Sequence, residues 1–292
     1  MKTVLITGAS GFVGRACLAP LLARGFTVHA TSARPAEVPA GVQHHVCDLL
    51  DPAASSRLLA AVRPTHLLHL AWFATPGKFW TAIENLRWVE ASLALVRAFD
   101  GQRFVGAGSC AEYDWSEGVC DERTTRLAPA TLYGASKHAV QTVLSAWGAQ
   151  TGVSVGWGRL FFLYGPHEHP DRLVSSVIRA LLAKREAACT SGTQVRDFQH
   201  VEDCGGALAA LLDSDVRGGV NIASGRAVTI AEVVQTVADQ LDSDLLRLGA
   251  RSHSDPPRIT AVVERLRIEV GWTDRYDLAR GIAQTIEWWR HA

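Results

Sequence analysis

Thr3-Val4-Leu5-Ile6-Thr7-Gly8-Ala9-Ser10-Gly11-Phe12-Val13-Gly14 stands near the head of the 292-residue chain, and its reading decides the fold. Val4-Leu5-Ile6 is a strand's length of apolar sequence, and helical spacing begins at Phe12. Between strand and helix the glycines have separate tasks. Gly8 permits the tight turn, Gly11 lets the backbone approach a pyrophosphate, and Gly14 lets helix and strand pack closely. Gly8, Ser10, Gly11, Phe12, Val13 and Gly14 are therefore the expected contacts of a dinucleotide, with free N–H groups at the helix start facing the phosphates.

Outward from this turn, short apolar runs alternate with longer amphipathic stretches. Residues 27–30, 66–70 and 104–107 read as further buried strands, and 153–160 as a sixth strand before Tyr164-Gly165-Pro166. Residues 12–24, 53–62, 79–98 and 133–150 have helical spacing. Such alternation implies an α/β fold, a Rossmann-type doubly wound parallel sheet with helices on both faces. Beyond residue 165 the rhythm loosens, with helices expected near 171–183, 203–213, 229–240 and 276–290, and strands near 195–200 and 218–222.

Composition excludes several classes of protein. Lys plus Arg and Asp plus Glu both total 29, so no basic excess favours nucleic acid. Six cysteines are scattered without a Cys-x-x-Cys pair, which fits reduced thiols better than a disulfide framework or zinc site. His167-x-His169 lacks a third ligand, and no metal is expected. No apolar run approaches a membrane span and the N-terminal run is too short for a signal-peptide core, so a cytoplasmic protein is expected.

The end of the second strand bears on which dinucleotide fits. A carboxylate about 20 residues after the turn holds the adenine ribose 2′-hydroxyl of NAD. Here the strand runs into Thr31-Ser32-Ala33-Arg34, and the first acid is Glu37. Ser32 can hydrogen-bond a 2′-phosphate and Arg34 can pair with it bidentately. NADP(H) is therefore expected ahead of NAD(H), although Arg34 also reads as a solvated loop charge. Asp48 is placed either to accept from the adenine amino group or to serve as a helix-flanking turn residue.

Tyr133-Gly134-Ala135-Ser136-Lys137 sets a phenol and an ammonium four residues apart, on one helix face. A nearby cation stabilises phenolate and brings the phenol toward a useful acid/base range. Ser109, just beyond the fifth strand, offers a hydroxyl to steady a carbonyl oxygen beside it.

In this order and spacing the motifs make the chain resemble the extended short-chain dehydrogenase/reductase family, in its nucleotide-sugar-modifying branch. The likeness rests on the glycine turn, Asp48-Leu49, His69-Leu70-Ala71, Ser109 four before Tyr113, Tyr133-x-x-x-Lys137, and Arg159-Leu160-Phe161 before Tyr164-Gly165-Pro166. It continues through Arg196-Asp197-Phe198-Gln199-His200-Val201-x-Asp203, Asn221-Ile222-Ala223-Ser224-Gly225 and Gly271-Trp272. The resemblance implies that Tyr133 is the acid/base, that Lys137 holds the ribose and tunes Tyr133, and that Ser109 binds the substrate oxygen. It implies cofactor contacts at Leu49, Leu70, Ala71 and Phe161, and substrate contacts at Trp72, Phe162, Arg196 and Arg258, the arginines gripping a nucleotide diphosphate. Residues 1–165 with 193–225 would form the dinucleotide-binding domain, and 166–192 with 226–292 a small mixed substrate-binding domain. A homodimer through the helices near 79–98 and 133–150 is also implied.

Departures from the family pattern narrow the reaction. Related 4,6-dehydratases carry Asp-Glu directly after the catalytic hydroxyl residue; here Cys110-Ala111 follow Ser109, and Glu112 is displaced. Related GDP-sugar epimerase-reductases carry Cys two before the Tyr113 position, which is Ala111 here. Many UDP-sugar epimerases carry Asn where this chain has Phe162. Simple hydride transfer remains, expected as NADP(H)-dependent reduction of a nucleotide-linked 4-keto-6-deoxyhexose. Trp72, Phe73, Phe79 and Trp80 would either wall a pocket for the deoxysugar methyl or pack in the core. The alternatives are an NAD-dependent nucleotide-sugar 4-epimerase that retains its cofactor and, outside catalysis, a dinucleotide-sensing regulator.

Overall fold

The apolar runs become strands buried on both faces. A computed structural model describes residues 2–252 and 255–292. Its first half comprises β1 (Thr3–Thr7), α1 (Phe12–Ala23), β2 (Thr27–Ser32), β3 (Val42–Val46), α2 (Pro52–Val62), β4 (His66–His69), α3 (Glu84–Ala98), β5 (Arg103–Ser109), β6 (Val119–Cys120) and α4 (Leu132–Thr151). There follow β7 (Ser154–Leu160), β8 (Phe162–Tyr164), α5 (Leu173–Leu182), β9 (Ala187–Ala188), β10 (Val195–His200), α6 (Val201–Leu212) and β11 (Gly218–Ile222). The chain closes with β12 (Ala227–Thr229), α7 (Ile230–Gln240), β13 (Leu246–Arg247), β14 (Arg258–Ala261) and α8 (Leu278–His291).

Seven strands form the main sheet in the order β11-β7-β5-β4-β1-β2-β3, every neighbouring pair parallel. The chain winds outward from β1 in both directions, so the C-terminal ends of β1 and β4 flank the switch point where a ligand crevice opens. On one face α1 and α6 bury Leu18, Leu21, Ala207 and Leu208; on the other α2, α3 and α4 bury Leu59, Leu95, Val140 and Leu144. This is the doubly wound Rossmann-type sheet that the alternation of runs predicts.

A second, mixed sheet runs β12-β10-β14-β6, with β8 beside β10; β10 and β12 are antiparallel and the other pairs parallel. Helices α5, α7 and α8 enclose a separate core that includes Val174, Ile178, Val234, Val237, Ile282 and Ile286. Of the 193–225 stretch, α6 and β11 join the main sheet's layers, while β10 belongs to the second sheet. Strands as short as β6, β8 and β12 have too few residues for a readable period of two, so the second sheet was only partly visible in the sequence.

The helix expected over 79–98 begins only at Glu84. The buried Asn85 amide donates to the carbonyls of Phe79 and Ala82 at 2.7 and 2.8 Å, which holds the preceding residues as a turn. Among the described residues no helix is long and apolar enough to cross a membrane.

Candidate active site

The glycine turn is shaped for close approach. Gly8 has φ +69°, and a Cβ there would crowd the Ala71 backbone; a Cβ on Gly14 would collide with the Gly8 carbonyl. Gly11 is the N-cap of α1 and no side chain caps the helix, which leaves first-turn N–H groups for an anion. The Thr7 hydroxyl accepts from the Leu70 and Ala71 amides at 3.1 and 3.2 Å and meets His69 Nδ1 at 2.8 Å. Burial, with the Lys137 charge second, pushes His69 down to about 3, so the ring is neutral and bridges on to Ser92 at 2.9 Å. The cradle therefore fits a dinucleotide pyrophosphate on backbone alone.

The adenine-ribose end differs from its sequence reading. Ser32 closes β2, and its hydroxyl donates to the Arg34 carbonyl at 2.7 Å and meets His44 Nε2 at 2.7 Å. In this arrangement that hydroxyl is engaged within the protein. The residue responsible is His44 on edge strand β3, a partner that the local sequence around Ser32 did not reveal. Arg34 is exposed in the loop beyond. Asp48 is exposed and accepts from the Leu50 amide at 3.0 Å as a turn residue, while Leu49 is buried.

Ser109 is the last residue of β5, and its Oγ accepts from the Ala111 amide at 3.1 Å, capping the short helical turn Cys110–Glu112. Tyr133 and Lys137 lie one turn apart on α4, which Thr131 caps through the Gly134 amide at 3.1 Å. The rings of Phe79 and Trp80 meet the Tyr133 ring edge-on at 4.8 and 5.8 Å. Burial raises the Tyr133 phenol above its ordinary value, while the Ser109 hydroxyl and, more weakly, Arg172 pull it back. Lys137 is 4% exposed, donates to the Ala107 carbonyl at 2.8 Å and sits 3.8 Å from the Trp72 ring centroid. Burial brings its ammonium down to about 7, against the opposing pull of Glu112.

The residues assigned to substrate are less convergent. Trp72 walls Lys137 at the centre of the cluster and donates to Asn85 at 2.8 Å. Phe162 lies 5.9 Å from Phe198, with the Arg196 guanidinium 5.3 Å over its ring; Phe161 is buried beside it. Arg196 is buried, with its charge felt by Cys110 next to Ser109. Arg258 pairs in register with Val195, so alternation along β10 puts it on the opposite face from Arg196. It is exposed and donates to Thr260 at 3.2 Å, and the two arginines are not brought together. Arg172, just before α5, was missed in the sequence. Its guanidinium lies 5.6 Å from the Phe79 ring and bears electrostatically on Tyr133, and its one sequence signal was proximity to Tyr164-Gly165-Pro166. Burial pushes the Cys110 thiol up, which removes it as a nucleophile. His167 and His169 are both exposed.

The sheet order, the backbone cradle and the Ser109, Tyr133 and Lys137 cluster are features of extended short-chain dehydrogenase/reductase architecture. The chain belongs to the NAD dependent epimerase/dehydratase family, whose model matches residues 4–223. It is 31% identical to MoeE5 solved in complex with UDP-glucuronic acid and NAD, over 99% of each chain, with a TM-score of 0.81. It is 26% identical to the UDP-glucose 4-epimerase of Thermus thermophilus solved with NAD, over 99% of each chain, with a TM-score of 0.85. The dTDP-L-rhamnose 4-epimerase of Burkholderia thailandensis is 24% identical, over 98% of this chain and 94% of the relative.

Proposed function

We propose that the chain is an NAD-dependent oxidoreductase acting at C4 of a nucleotide-linked hexose, working as a 4-epimerase. The observation that carries this reading is the Ser109, Tyr133 and Lys137 cluster, with Cys110 and Ala111 standing where an eliminating enzyme needs acids. The cofactor reading moves from NADP(H) to NAD(H), because Ser32 is engaged by Arg34 and His44 and because MoeE5 and the Thermus epimerase hold NAD.

When bound, the nicotinamide takes and returns a hydride. Tyr133, raised by burial, holds its proton at neutral pH and can donate it to a C4 ketone oxygen. In the opposite direction the phenol first releases its proton to solvent, which the Ser109 hydroxyl, the Arg172 charge and the Lys137 ammonium one helical turn away favour, and the phenolate then receives the C4 hydroxyl proton. Ser109 Oγ hydrogen-bonds the same oxygen, and Arg196 faces the diphosphate. Residues 1–165 with 193–225 serve the dinucleotide, and 166–192 with 226–292 serve the sugar nucleotide. The homodimer belongs to this reading: Leu86 on α3, Val143 on α4 and the adjoining Ile83 are exposed apolar side chains.

A second reading, reduction of a nucleotide-linked 4-keto-6-deoxyhexose, is favoured by Phe162, which puts a packed aromatic where many UDP-sugar epimerases carry Asn. One experiment separates the two. The dinucleotide released on denaturing the purified protein is identified, and the intact protein is incubated with UDP-glucose, UDP-glucuronic acid and dTDP-hexoses under proton NMR. Retained NAD and inversion at C4 without net cofactor consumption are expected. Stoichiometric oxidation of added NADPH by a 4-keto sugar would establish the second reading, and neither outcome would leave a dinucleotide-sensing protein.

A further inference from the structure

Directly behind Ser109 lies a buried ion pair that the chemistry above does not use. Glu112 is fully buried, Arg159 is 2% exposed, and Arg159 Nε donates to Glu112 at 2.9 Å. The other Glu112 oxygen accepts from the Ser109 amide at 2.8 Å and from Trp157 Nε1 at 2.9 Å. Arg159 donates onward to the Tyr113 hydroxyl and to Gln141 Oε1, each at 3.0 Å. Gln141 stands one turn after Lys137 on the same helix, and Tyr113 is held in turn by Asn221 at 2.8 Å. A continuous path of hydrogen bonds thus runs from the Ser109 backbone to α4.

Strand β5 is built to admit this path. A Cβ on Gly106 would collide with the Trp157 ring, and a Cβ on Gly108 with both Trp157 and the Glu112 carboxyl. Buried ion pairs return little net stability over apolar packing of the same volume, so stability is a poor reason for this one. Its connections are specific: one end is the residue that bears the catalytic hydroxyl, the other the helix that bears the phenol and ammonium.

We propose that Glu112 and Arg159 are positioning residues that set Ser109 in register with Tyr133 and Lys137. This rests on the assignment of those three residues to the reaction. Glu112 also acts at a distance. Lys137 is faced by Tyr133 on its own helix, by neutral His69 on β4 and by Glu112, and Glu112 is the group that opposes the effect of burial on the ammonium. Glu112 in turn is faced by Arg159 and Trp157 on β7, by Cys110 on its own turn, and by Tyr133 and Lys137 on α4.

Two substitutions in the full chain test the proposal. Glu112→Gln keeps the shape and removes the charge, whereas Gln141→Leu leaves the ion pair and cuts only its bond to α4. With a nucleotide sugar that the wild type turns over, Glu112→Gln is expected to lower kcat about tenfold or more, with KM changed less than about twofold. The alkaline limb of kcat moves to lower pH, because Lys137 without Glu112 loses its proton sooner. Gln141→Leu lowers kcat about fivefold without moving the limb, and Gln141→Glu restores the rate. Folded Glu112→Gln with wild-type kcat and an unmoved limb overturns the proposal. If that variant does not fold, an unchanged kcat in Gln141→Leu overturns it instead. Titration of NADH by tryptophan fluorescence reads the Lys137 charge without any sugar. Its pH dependence shifts in Glu112→Gln even where the wild type turns over no nucleotide sugar, so failure of the functional assignment is seen separately.

Discussion

The two ends of the cofactor cleft are built on different principles. At the pyrophosphate end, Gly8, Gly11 and Gly14 leave a cradle of backbone, and the Thr7 hydroxyl fixes the Leu70-Ala71 segment across from it. At the adenine-ribose end the candidate groups are side chains, and one of them, Ser32, is already committed to His44 and the Arg34 carbonyl. A backbone cradle has no alternative partners to choose among, whereas a hydroxyl takes whichever neighbour the fold brings. The cleft's middle, where Tyr133 and Lys137 sit, combines both: a helical spacing fixed by the sequence, and a burial fixed by packing.

The largest effect is expected in that middle. Tyr133→Phe should lower kcat by about 10²-fold or more while dinucleotide affinity stays within about twofold. A loss confined to binding would move Tyr133 to the cofactor side and break the division. Next, Gly14→Ala drives a methyl into the Gly8 carbonyl and should destabilise the protein by about 1–3 kcal/mol, with dinucleotide affinity falling alongside. Thermal melts with and without NAD measure both, and an unchanged melt would show that the cradle yields.

Lys137→Met sharpens the comparison through pH. The folded ammonium releases its proton near 7 and the unfolded one near 10.5, so the unfolded chain binds more protons between these values. Wild-type stability therefore gains from this site as pH rises from 7 toward 10.5, and Lys137→Met should flatten that gain and raise Tm at pH 7 while removing turnover. An unaltered pH profile of Tm would show that burial does not tax the ammonium. The smallest effect belongs to the ribose end. Arg34→Ala should change the Kd for NAD by less than about twofold, and a large loss confined to NADP would restore the 2′-phosphate reading.

The fold was legible because burial on two faces writes itself as contiguous apolar runs, and because the βα spacing recurs. The Tyr133 and Lys137 pair was equally legible, since a helix presents residues four apart on one face whatever surrounds it. The limits were also physical. The helix over 79–98 started late because the Asn85 side chain holds the preceding turn, and Arg172 reaches Phe79 from a distant segment. Arg196 and Arg258 read as a pair until strand register set them on opposite faces.

The sequence by itself determined the parallel sheet, the glycine cradle and the spacing of the phenol and ammonium. These follow from local steric and periodic constraints that act within a few residues. Only the tertiary structure decided that His44 occupies Ser32, that Lys137 is buried against Trp72, and that Glu112 and Arg159 stand behind Ser109. Each of these joins residues from different strands or helices, and which side chains meet there is set by packing and register, not by their neighbours along the chain.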